Sequence, residues 1–133
     1  KRDWGYAPEY VECMWKMLQQ KNPEDFVIAS GKSYKVLDLV KKAFSIVDLD
    51  WEKHVKTDKS LYRILEVNKL EGNSTKAEKK LGWKPKTNFN DLIKIMLEAD
   101  LERWGKWKKG ELFPWDALSS IEEQKTITRS RKK

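Results

Sequence analysis

The sequence predicts a helix-rich α/β domain, and three observations lead to that prediction. Apolar residues recur at intervals of three and four in three long segments, which is the period of an amphipathic helix. One short β-branched and aromatic run between the first two segments is typical of a strand. No internal repeat and no long alternation of strands and helices is visible, which favours an accessory α/β unit over a complete parallel sheet.

Composition bounds the class of protein. With 133 residues, a hydrophobic fraction of 39% and seven tryptophans, the chain has enough apolar material for one core and is not a disordered polymer. The net charge of +7 favours anionic partners, whether phosphorylated ligands, nucleic acid or acidic surfaces. Cys13 is the single cysteine, so no intramolecular disulfide can form and we expect a cytoplasmic location. Because Cys13 lies within an apolar helical pattern, we expect its thiol to be buried. No apolar run is long enough to span a membrane.

The first predicted helix begins at Pro8 and Glu9, because proline suits a first helical turn and a carboxylate suits the positive helix end. It is expected to run to about Gln20, before Asn22 and Pro23 stop it. Its apolar residues form one stripe, which we expect to face the core: Tyr10, Val11, Met14, Trp15 and Leu18.

A buried strand is predicted at Phe26–Ala29, ending in a turn at Ser30–Gly31. A second helix follows, with Ser33 as its expected cap. Its predicted core face consists of Val36, Leu39, Val40, Ala43, Phe44 and Val47.

The middle of the chain has weaker patterns. Trp51–His54 is predicted to be one helical turn whose histidine has a surface or packing role, and Val55–Thr57 a short strand. Ser74 is expected to cap a short helix that continues through Lys80 and stops at Gly82, the residue best suited to a left-handed helix end.

The longest predicted helix begins near Phe89, with Thr87 or Asn88 as its cap. Its apolar positions are Leu92, Ile93, Met96, Leu97, Leu101 and Trp104. An aromatic extension follows, comprising Trp107 and Leu112–Trp115. We expect residues 1–118 to form the domain and residues 119–133 to be a flexible, basic polar tail.

Signatures of catalysis and metal binding are absent, including a glycine-rich phosphate loop and a nucleophile elbow, so no catalytic or metal-binding residue is assigned. Two irregular segments instead place an arginine beside polar residues. Arg2 and Arg63 match the oxygen spacing of a diphosphate if the fold brings them together. Glu66 is then available to accept hydrogen bonds from vicinal sugar hydroxyls.

Structural roles are the alternative for the same side chains. Arg2 has the neighbouring Asp3 as a salt-bridge partner, or a helix end as an acceptor. Arg63 and Glu66 are spaced as a surface pair on one helical turn. Spacing alone leaves both readings open.

A set of short motifs in fixed order resembles the GDP-mannose 4,6-dehydratases of the extended short-chain dehydrogenase/reductase family. The resemblance covers residues 1 to about 104 and is most specific in its Arg-Asp-Trp-Gly opening and its Arg-x-x-Glu-Val segment. The motifs are Arg2–Ala7, Glu9–Glu12, Met14–Trp15, Phe26–Gly31, Leu49–Lys53, Arg63 with Glu66–Val67, Ser74–Ala77, Lys80–Pro85 and Glu98–Glu102. The chain departs from the family pattern at Ile64–Leu65, where Pro-Thr is usual, and at Asn68, where aspartate is usual.

The resemblance implies the C-terminal substrate-binding domain of such an enzyme, without its Rossmann sheet. It implies that Arg2 and Arg63 contact the diphosphate of GDP-mannose, and that Glu66 holds the ribose hydroxyls. The family's NADP would be bound by an N-terminal Rossmann part absent from this chain, with no cofactor held by this chain alone. A homo-oligomer is implied for the parent enzyme.

The leading hypothesis is therefore a GDP-mannose-binding fragment of an NADP-dependent lyase that forms GDP-4-keto-6-deoxy-mannose, inactive by itself. The adjacent Tyr34 and Lys35 lack the three intervening residues of the family's catalytic Tyr-x-x-x-Lys pattern. One alternative is a fragment of another nucleotide-sugar epimerase, dehydratase or reductase. The other is a basic protein- or nucleic-acid-interaction module, and we expect nucleic acid to be the less favoured partner.

Overall fold

The computed structural model describes residues 1–62 and 66–110 and shows a helix-rich chain with one small sheet. The chain divides into two compact units, Lys1–Ile95 and Met96–Lys133. The described elements are β1 (Arg2–Asp3), α1 (Ala7–Leu18), β2 (Ser33–Tyr34), α2 (Val36–Ile46), α3 (Trp51–His54), a 3₁₀ turn (Lys59–Leu61), α4 (Thr75–Leu81) and α5 (Phe89–Lys108). This composition agrees with the predicted helix-rich α/β class.

The sheet of the described residues pairs β1 with β2 in antiparallel register, with Arg2 opposite Tyr34 and Asp3 opposite Ser33. Ser33 therefore belongs to a strand, and the prediction that it caps α2 is wrong. The cap residue is Lys35, whose N–H donates to the Asp38 carboxylate at 2.8 Å. The carboxylate thus supplies the capping contact from inside the first helical turn.

The predicted strand at Phe26–Ala29 is not formed. The segment carries no strand assignment, although Ala29 is only 5% exposed and Phe26 and Ile28 pack against the core. Apolar, β-branched residues favour burial in an extended chain, whereas a strand also needs a partner backbone with free hydrogen-bonding groups. The turn that follows is confirmed, with Gly31 at a φ of 75°.

Helix α1 faces the core with a different side from the predicted one. Cys13 is fully buried, as predicted, and Tyr10 and Met17 pack beside it. The remaining stripe residues are exposed, namely Val11 (61%), Met14 (52%), Trp15 (61%) and Leu18 (82%). The helix carries two apolar stripes, and periodicity identifies a helix without deciding which stripe is covered.

The core of the first unit joins α1 to α4. Its buried residues are Cys13, Ala77, Leu81 and Trp83, and its partly buried ones are Tyr10, Met17, Phe26 and Ile28. Gly82 ends α4 in the left-handed conformation at a φ of 61°, as predicted. Ser74 is the cap residue by position, but the side chain that accepts the Thr75 N–H, at 3.0 Å, is that of Asn73.

Helices α2 and α3 follow the predicted periodicity with less burial than expected. No residue of α2 is fully buried, and Val36, at the start of its predicted core face, is 59% exposed. The single turn of α3 is confirmed, and its exposed His54 ring stacks on Phe44 at 5.6 Å. The strand predicted at Val55–Thr57 is wrong, since that segment is irregular.

Helix α5 begins at Phe89 with Asn88 as its cap, because the Asn88 side-chain oxygen accepts the N–H groups of Asn90 and Asp91 at 2.9 and 3.0 Å. Phe89 is buried and stacks on Tyr34 with ring centroids 3.9 Å apart.

The apolar stripe of α5 is buried at Leu92 and Ile93 but exposed at Met96 (50%), Leu101 (55%) and Trp104 (49%). Trp107 lies inside the helix rather than in an irregular extension. The aromatic run Leu112–Trp115, the 118/119 boundary and the basic tail lie outside the described residues. None of the helices described is both long and apolar enough to cross a membrane.

Candidate functional site

Two of the three predicted ligand residues lie side by side. Arg2 in β1 forms an ion pair with Glu66, across 64 positions of sequence. Their side chains are 32% and 43% exposed, so both reach solvent. Arg63 lies outside the described residues, and its convergence with Arg2 stays a prediction.

The Arg2 guanidinium also holds backbone. Its Nη1 atom donates to the carbonyl oxygens of Lys1 at 2.9 Å and Val67 at 2.8 Å, while Nη2 donates to Glu66. A planar fork with several donors can bridge these acceptors at once. Arg2 thereby ties β1 to the segment that carries Glu66.

Asp3, the neighbour that the alternative reading paired with Arg2, acts as an acceptor for three backbone N–H groups. Its carboxylate accepts from Ser30 at 2.8 Å, Gly31 at 2.9 Å and Gly72 at 3.3 Å. Hydrogen bonds between a carboxylate and backbone amides are stronger than neutral ones. Asp3 therefore connects three chain segments directly beside Arg2, a role hidden from sequence reasoning because the nearest partner is 27 residues away.

Glu71 makes the second polar connection between the 66–72 segment and the sheet. Its carboxylate accepts from the Ser33 N–H at 3.0 Å and hydroxyl at 2.8 Å, and from the Lys69 ammonium at 3.1 Å. The Ser33 hydroxyl, followed by Lys69, lowers the pKa of the Glu71 carboxyl below its ordinary 4.5. The Leu70 N–H adds a bond to the Lys1 carbonyl at 3.0 Å.

Gly72 allows its chain segment to approach Ala29 closely. A Cβ atom at this position would lie 2.3 Å from the Ala29 Cβ, which is far inside van der Waals contact. Glycine is therefore required for the 66–72 segment to reach Asp3. This requirement also had no sequence signal, since the glycine stands alone between polar residues.

A shallow cleft of about 290 Å³ opens beside these contacts. It is lined by Asp3, Tyr10, Val27, Ile28, Ala29, Leu70, Glu71 and Gly72. Burial, followed by the nearby charge of Asp3, raises the pKa of Tyr10. Of the predicted ligand residues that the structure describes, neither Arg2 nor Glu66 lines this cleft.

Glu9 fixes the start of α1 to the chain before α5. Its carboxylate accepts from the Thr87 hydroxyl at 2.7 Å and from the N–H groups of Lys86 and Thr87, each at 3.1 Å. Its backbone carbonyl accepts from the Trp83 indole at 2.9 Å. From the sequence, Glu9 was expected only to place a negative charge at the N-terminal end of α1. The structure shows that it also joins α1 to residues 83–87 through hydrogen bonds.

The described residues do not form a Rossmann site for a dinucleotide cofactor. A Rossmann site needs parallel strands, with a glycine-rich turn leading from a strand into a helix. Within residues 1–62 and 66–110 the sheet has two antiparallel strands of two residues each. We therefore assign no redox step to these residues.

Fold and site together define a helix-rich part of an α/β protein, with an exposed Arg–Glu site at the edge of a small sheet. The family model described as GDP-mannose 4,6 dehydratase matches residues 1–96. The chain belongs to the GDP-mannose 4,6 dehydratase family, which confirms the resemblance seen in its motifs.

Curated relatives support the same assignment. GDP-mannose 4,6 dehydratase 1 of Arabidopsis thaliana is 48% identical over 101 residues, covering 76% of this chain and 28% of that protein. The Dictyostelium discoideum and Homo sapiens GDP-mannose 4,6 dehydratases are 45% and 43% identical over 119 residues, each covering 77% of this chain. The match spans 33% and 32% of their respective lengths, so this chain corresponds to about a third or less of these relatives.

Proposed function

We propose that this chain is the nucleotide-sugar-binding part of a GDP-mannose 4,6-dehydratase, the enzyme that forms GDP-4-keto-6-deoxy-mannose. The observation that carries the proposal is the pairing of Arg2 with Glu66 at a partly exposed position. Both residues stand in the family's most specific motifs, and the family match includes both.

The side-chain chemistry suits a nucleoside diphosphate-sugar. A guanidinium presents N–H donors in the plane that phosphate oxygens prefer, and a carboxylate accepts hydrogen bonds from a vicinal diol. In the proposal Arg2 and Arg63 bind the diphosphate, and Glu66 binds the ribose hydroxyls. The net charge of +7 favours the approach of such an anion.

The redox chemistry is proposed to lie elsewhere. Because the described residues form no Rossmann site and the sequence has no glycine-rich phosphate loop, we assign NADP to a Rossmann part outside these 133 residues, with this chain as the C-terminal substrate-binding domain. On that basis the chain alone does not dehydrate GDP-mannose. The proposal includes a homo-oligomeric parent enzyme in the cytoplasm.

Ligand titration tests the proposal. GDP-mannose, GDP and mannose are titrated separately into the purified chain by calorimetry, at low ionic strength. A diphosphate site predicts that GDP retains most of the affinity of GDP-mannose and that mannose retains almost none. Equal binding of mannose and GDP, or no binding of GDP, contradicts the proposal.

Two variants and two further ligands sharpen that test. Arg63→Ala and Arg2→Ala are each expected to weaken GDP binding by about tenfold or more, the usual loss of a charge-assisted contact. UDP- and CDP-sugars that bind as tightly as GDP-mannose would favour another nucleotide-sugar enzyme.

The interaction-module alternative needs a separate experiment. Salt-sensitive oligonucleotide binding that survives Arg63→Ala but is lost when residues 129–133 are removed would favour an interaction module.

A further inference from the structure

The chain from Glu66 to Gly72 contacts β1 at both of its ends. At one end, the Arg2 guanidinium donates to the Glu66 carboxylate and, at 2.8 Å, to the Val67 carbonyl oxygen. At the other end, the Gly72 N–H donates to the Asp3 carboxylate at 3.3 Å. The two neighbouring residues of β1 therefore hold opposite ends of one chain segment, Arg2 as a donor and Asp3 as an acceptor.

Asp3 also attaches this segment to the neighbouring turn. Its carboxylate accepts the N–H groups of Ser30 at 2.8 Å and Gly31 at 2.9 Å in addition to that of Gly72. A carboxylate carries acceptors only, so it matches three N–H donors that converge on it. A single side chain of β1 thus joins the turn to the end of the segment.

Gly72 restricts how the segment can be aligned against that turn. A Cβ atom at its place would lie 2.3 Å from the Ala29 Cβ. A shift of the segment by one residue would bring Glu71 or Asn73 to this place, and each carries a Cβ atom. Because Ala29 leaves no room for that atom, the steric limit and the Asp3 contact specify the same alignment.

The alignment at Gly72 determines where Glu66 lies. Between them the Leu70 N–H donates to the Lys1 carbonyl oxygen at 3.0 Å, so the segment stays attached beside β1. A shift by one residue moves an extended chain by about 3.3 Å, which is enough to break a hydrogen bond. Loss of the alignment would therefore take the Glu66 carboxylate away from the Arg2 guanidinium.

Resting on the proposed function, we infer that Asp3 is a positioning residue for nucleoside diphosphate binding. Its carboxylate maintains the alignment that keeps Glu66 beside Arg2. Arg2 and Glu66 contact the ligand, whereas Asp3 is bonded to backbone and affects the affinity through them. Replacement of Asp3 should therefore weaken the binding of GDP only while Arg2 is present.

A double-mutant cycle on GDP affinity tests this role. Wild type, Asp3→Asn, Arg2→Ala and the double variant are titrated by calorimetry at low ionic strength. Asparagine keeps the size of the side chain but replaces one acceptor oxygen by an NH₂ donor, which cannot accept a backbone N–H. Asp3→Asn is expected to weaken GDP binding about fivefold to tenfold, because part of the loss of charge-assisted bonds reaches the ligand. In the Arg2→Ala background the same replacement should change the affinity by less than about twofold, since the contact through which it acts is gone.

Glu9→Gln is the matched control. The Glu9 carboxylate also accepts three hydrogen bonds, from the Thr87 hydroxyl at 2.7 Å and from the N–H groups of Lys86 and Thr87 at 3.1 Å. These bonds hold α1 to the chain before α5 and involve neither Arg2 nor residues 66–72. Glu9→Gln is therefore expected to leave GDP affinity within about twofold of wild type. Circular dichroism checks that every variant is folded under the conditions of the titration.

The NMR signals of the Arg2 guanidinium provide a measurement without ligand. They report on the contact between Arg2 and Glu66 independently of GDP. Asp3→Asn is expected to shift these signals towards those of Glu66→Ala, in which the ion pair is absent. Glu9→Gln is expected to leave them unchanged.

Failure of the positioning role can be told apart from failure of the proposed function. If wild type does not bind GDP, the proposed function is wrong, and the positioning role falls with it. If wild type binds GDP and folded Asp3→Asn binds it equally well, or keeps the wild-type Arg2 signals, the positioning role alone is wrong. An equal loss of affinity in the Arg2→Ala background, or in Glu9→Gln, also contradicts it, because Asp3 would then support the fold rather than Arg2.

A second variant covers the case in which Asp3→Asn does not fold. Gly72→Ala then takes its place in the cycle, since the added methyl group disturbs the same contact from the other side. Weaker GDP binding that depends on Arg2 is again the expected result. Unchanged GDP affinity in folded Gly72→Ala overturns the positioning role.

Discussion

The α1–α4 core and the β1 neighbourhood are held together by different forces. The core consists of Cys13, Ala77, Leu81 and Trp83, all at most 9% exposed. The β1 neighbourhood depends on Arg2, Asp3, Glu71 and their backbone partners, most of them at solvent-exposed positions. Apolar burial is large and insensitive to pH, whereas hydrogen bonds to carboxylates are directional and depend on protonation. The first region supplies stability, and the second supplies geometry for a site.

Loss of Trp83 is expected to have the largest effect. Trp83 is 2% exposed, and Trp83→Ala leaves a cavity and removes the indole bond to Glu9, at a cost of about 3–5 kcal/mol. Urea unfolding followed by circular dichroism measures the change. Trp15→Ala is the control, because Trp15 is 61% exposed and should change stability by less than about 1 kcal/mol. Equal losses would remove the distinction between the buried α1–α4 core and the exposed side of α1.

A methyl group at position 72 tests the close approach in the β1 neighbourhood. Gly72→Ala forces a Cβ to within 2.3 Å of the Ala29 Cβ and should cost about 1–3 kcal/mol. The double variant with Ala29→Gly should recover part of that loss, which a double-mutant cycle detects. Gly105→Ala is the control, since its Cβ meets nothing within 4 Å and Ala at this α5 position should stabilise by about 0.5–1 kcal/mol.

The pH dependence of stability should depend on Glu71. Its folded pKa lies below the ordinary 4.5, so its contribution is present above that pH and is lost as pH falls through the lowered value. Ser33→Ala removes the main cause and should raise the Glu71 pKa towards 4.5. Carboxyl NMR titration measures the shift. An unchanged Glu71 pKa in Ser33→Ala would show that the Ser33 hydroxyl does not stabilise the carboxylate.

The smallest effect is expected on the outer stripe of α1. Leu18 is 82% exposed, so Leu18→Ser should change stability by no more than about 0.5 kcal/mol. Met17 packs against the core, and Met17→Ser should destabilise by clearly more. Thermal unfolding of both variants compares adjacent positions on one helix. A larger loss for Leu18→Ser would mean that the stripe is covered.

The sequence predicted those structural features correctly that depend on neighbouring residues. Asn88 caps α5, Gly82 ends α4 in a left-handed conformation, and Cys13 is buried, each as expected. Cap and helix-end preferences arise from a few neighbouring backbone groups. The failures at Ser33 and Phe26–Ala29 have non-local causes, since strand pairing depends on residues elsewhere in the chain.

The candidate site was found from the sequence in part. Motif resemblance singled out Arg2 and Glu66, and the fold brings them into contact. Asp3 and Gly72 were missed, because the bond that joins them spans 69 residues and leaves no periodic pattern. Arg63 lies outside the described residues, so its role continues to rest on the sequence.

The sequence by itself determined the presence of the helices, the cap of α5, the left-handed end of α4, the excess of positive charge and the family, because each is encoded in local order or in a set of short motifs. Tertiary structure alone decided which face of α1 is covered and which acceptor each polar side chain near β1 contacts. The physical reason is the sequence distance over which each interaction acts. Helical periodicity and capping act within a few residues, whereas burial and hydrogen bonding between distant segments depend on how the whole chain packs.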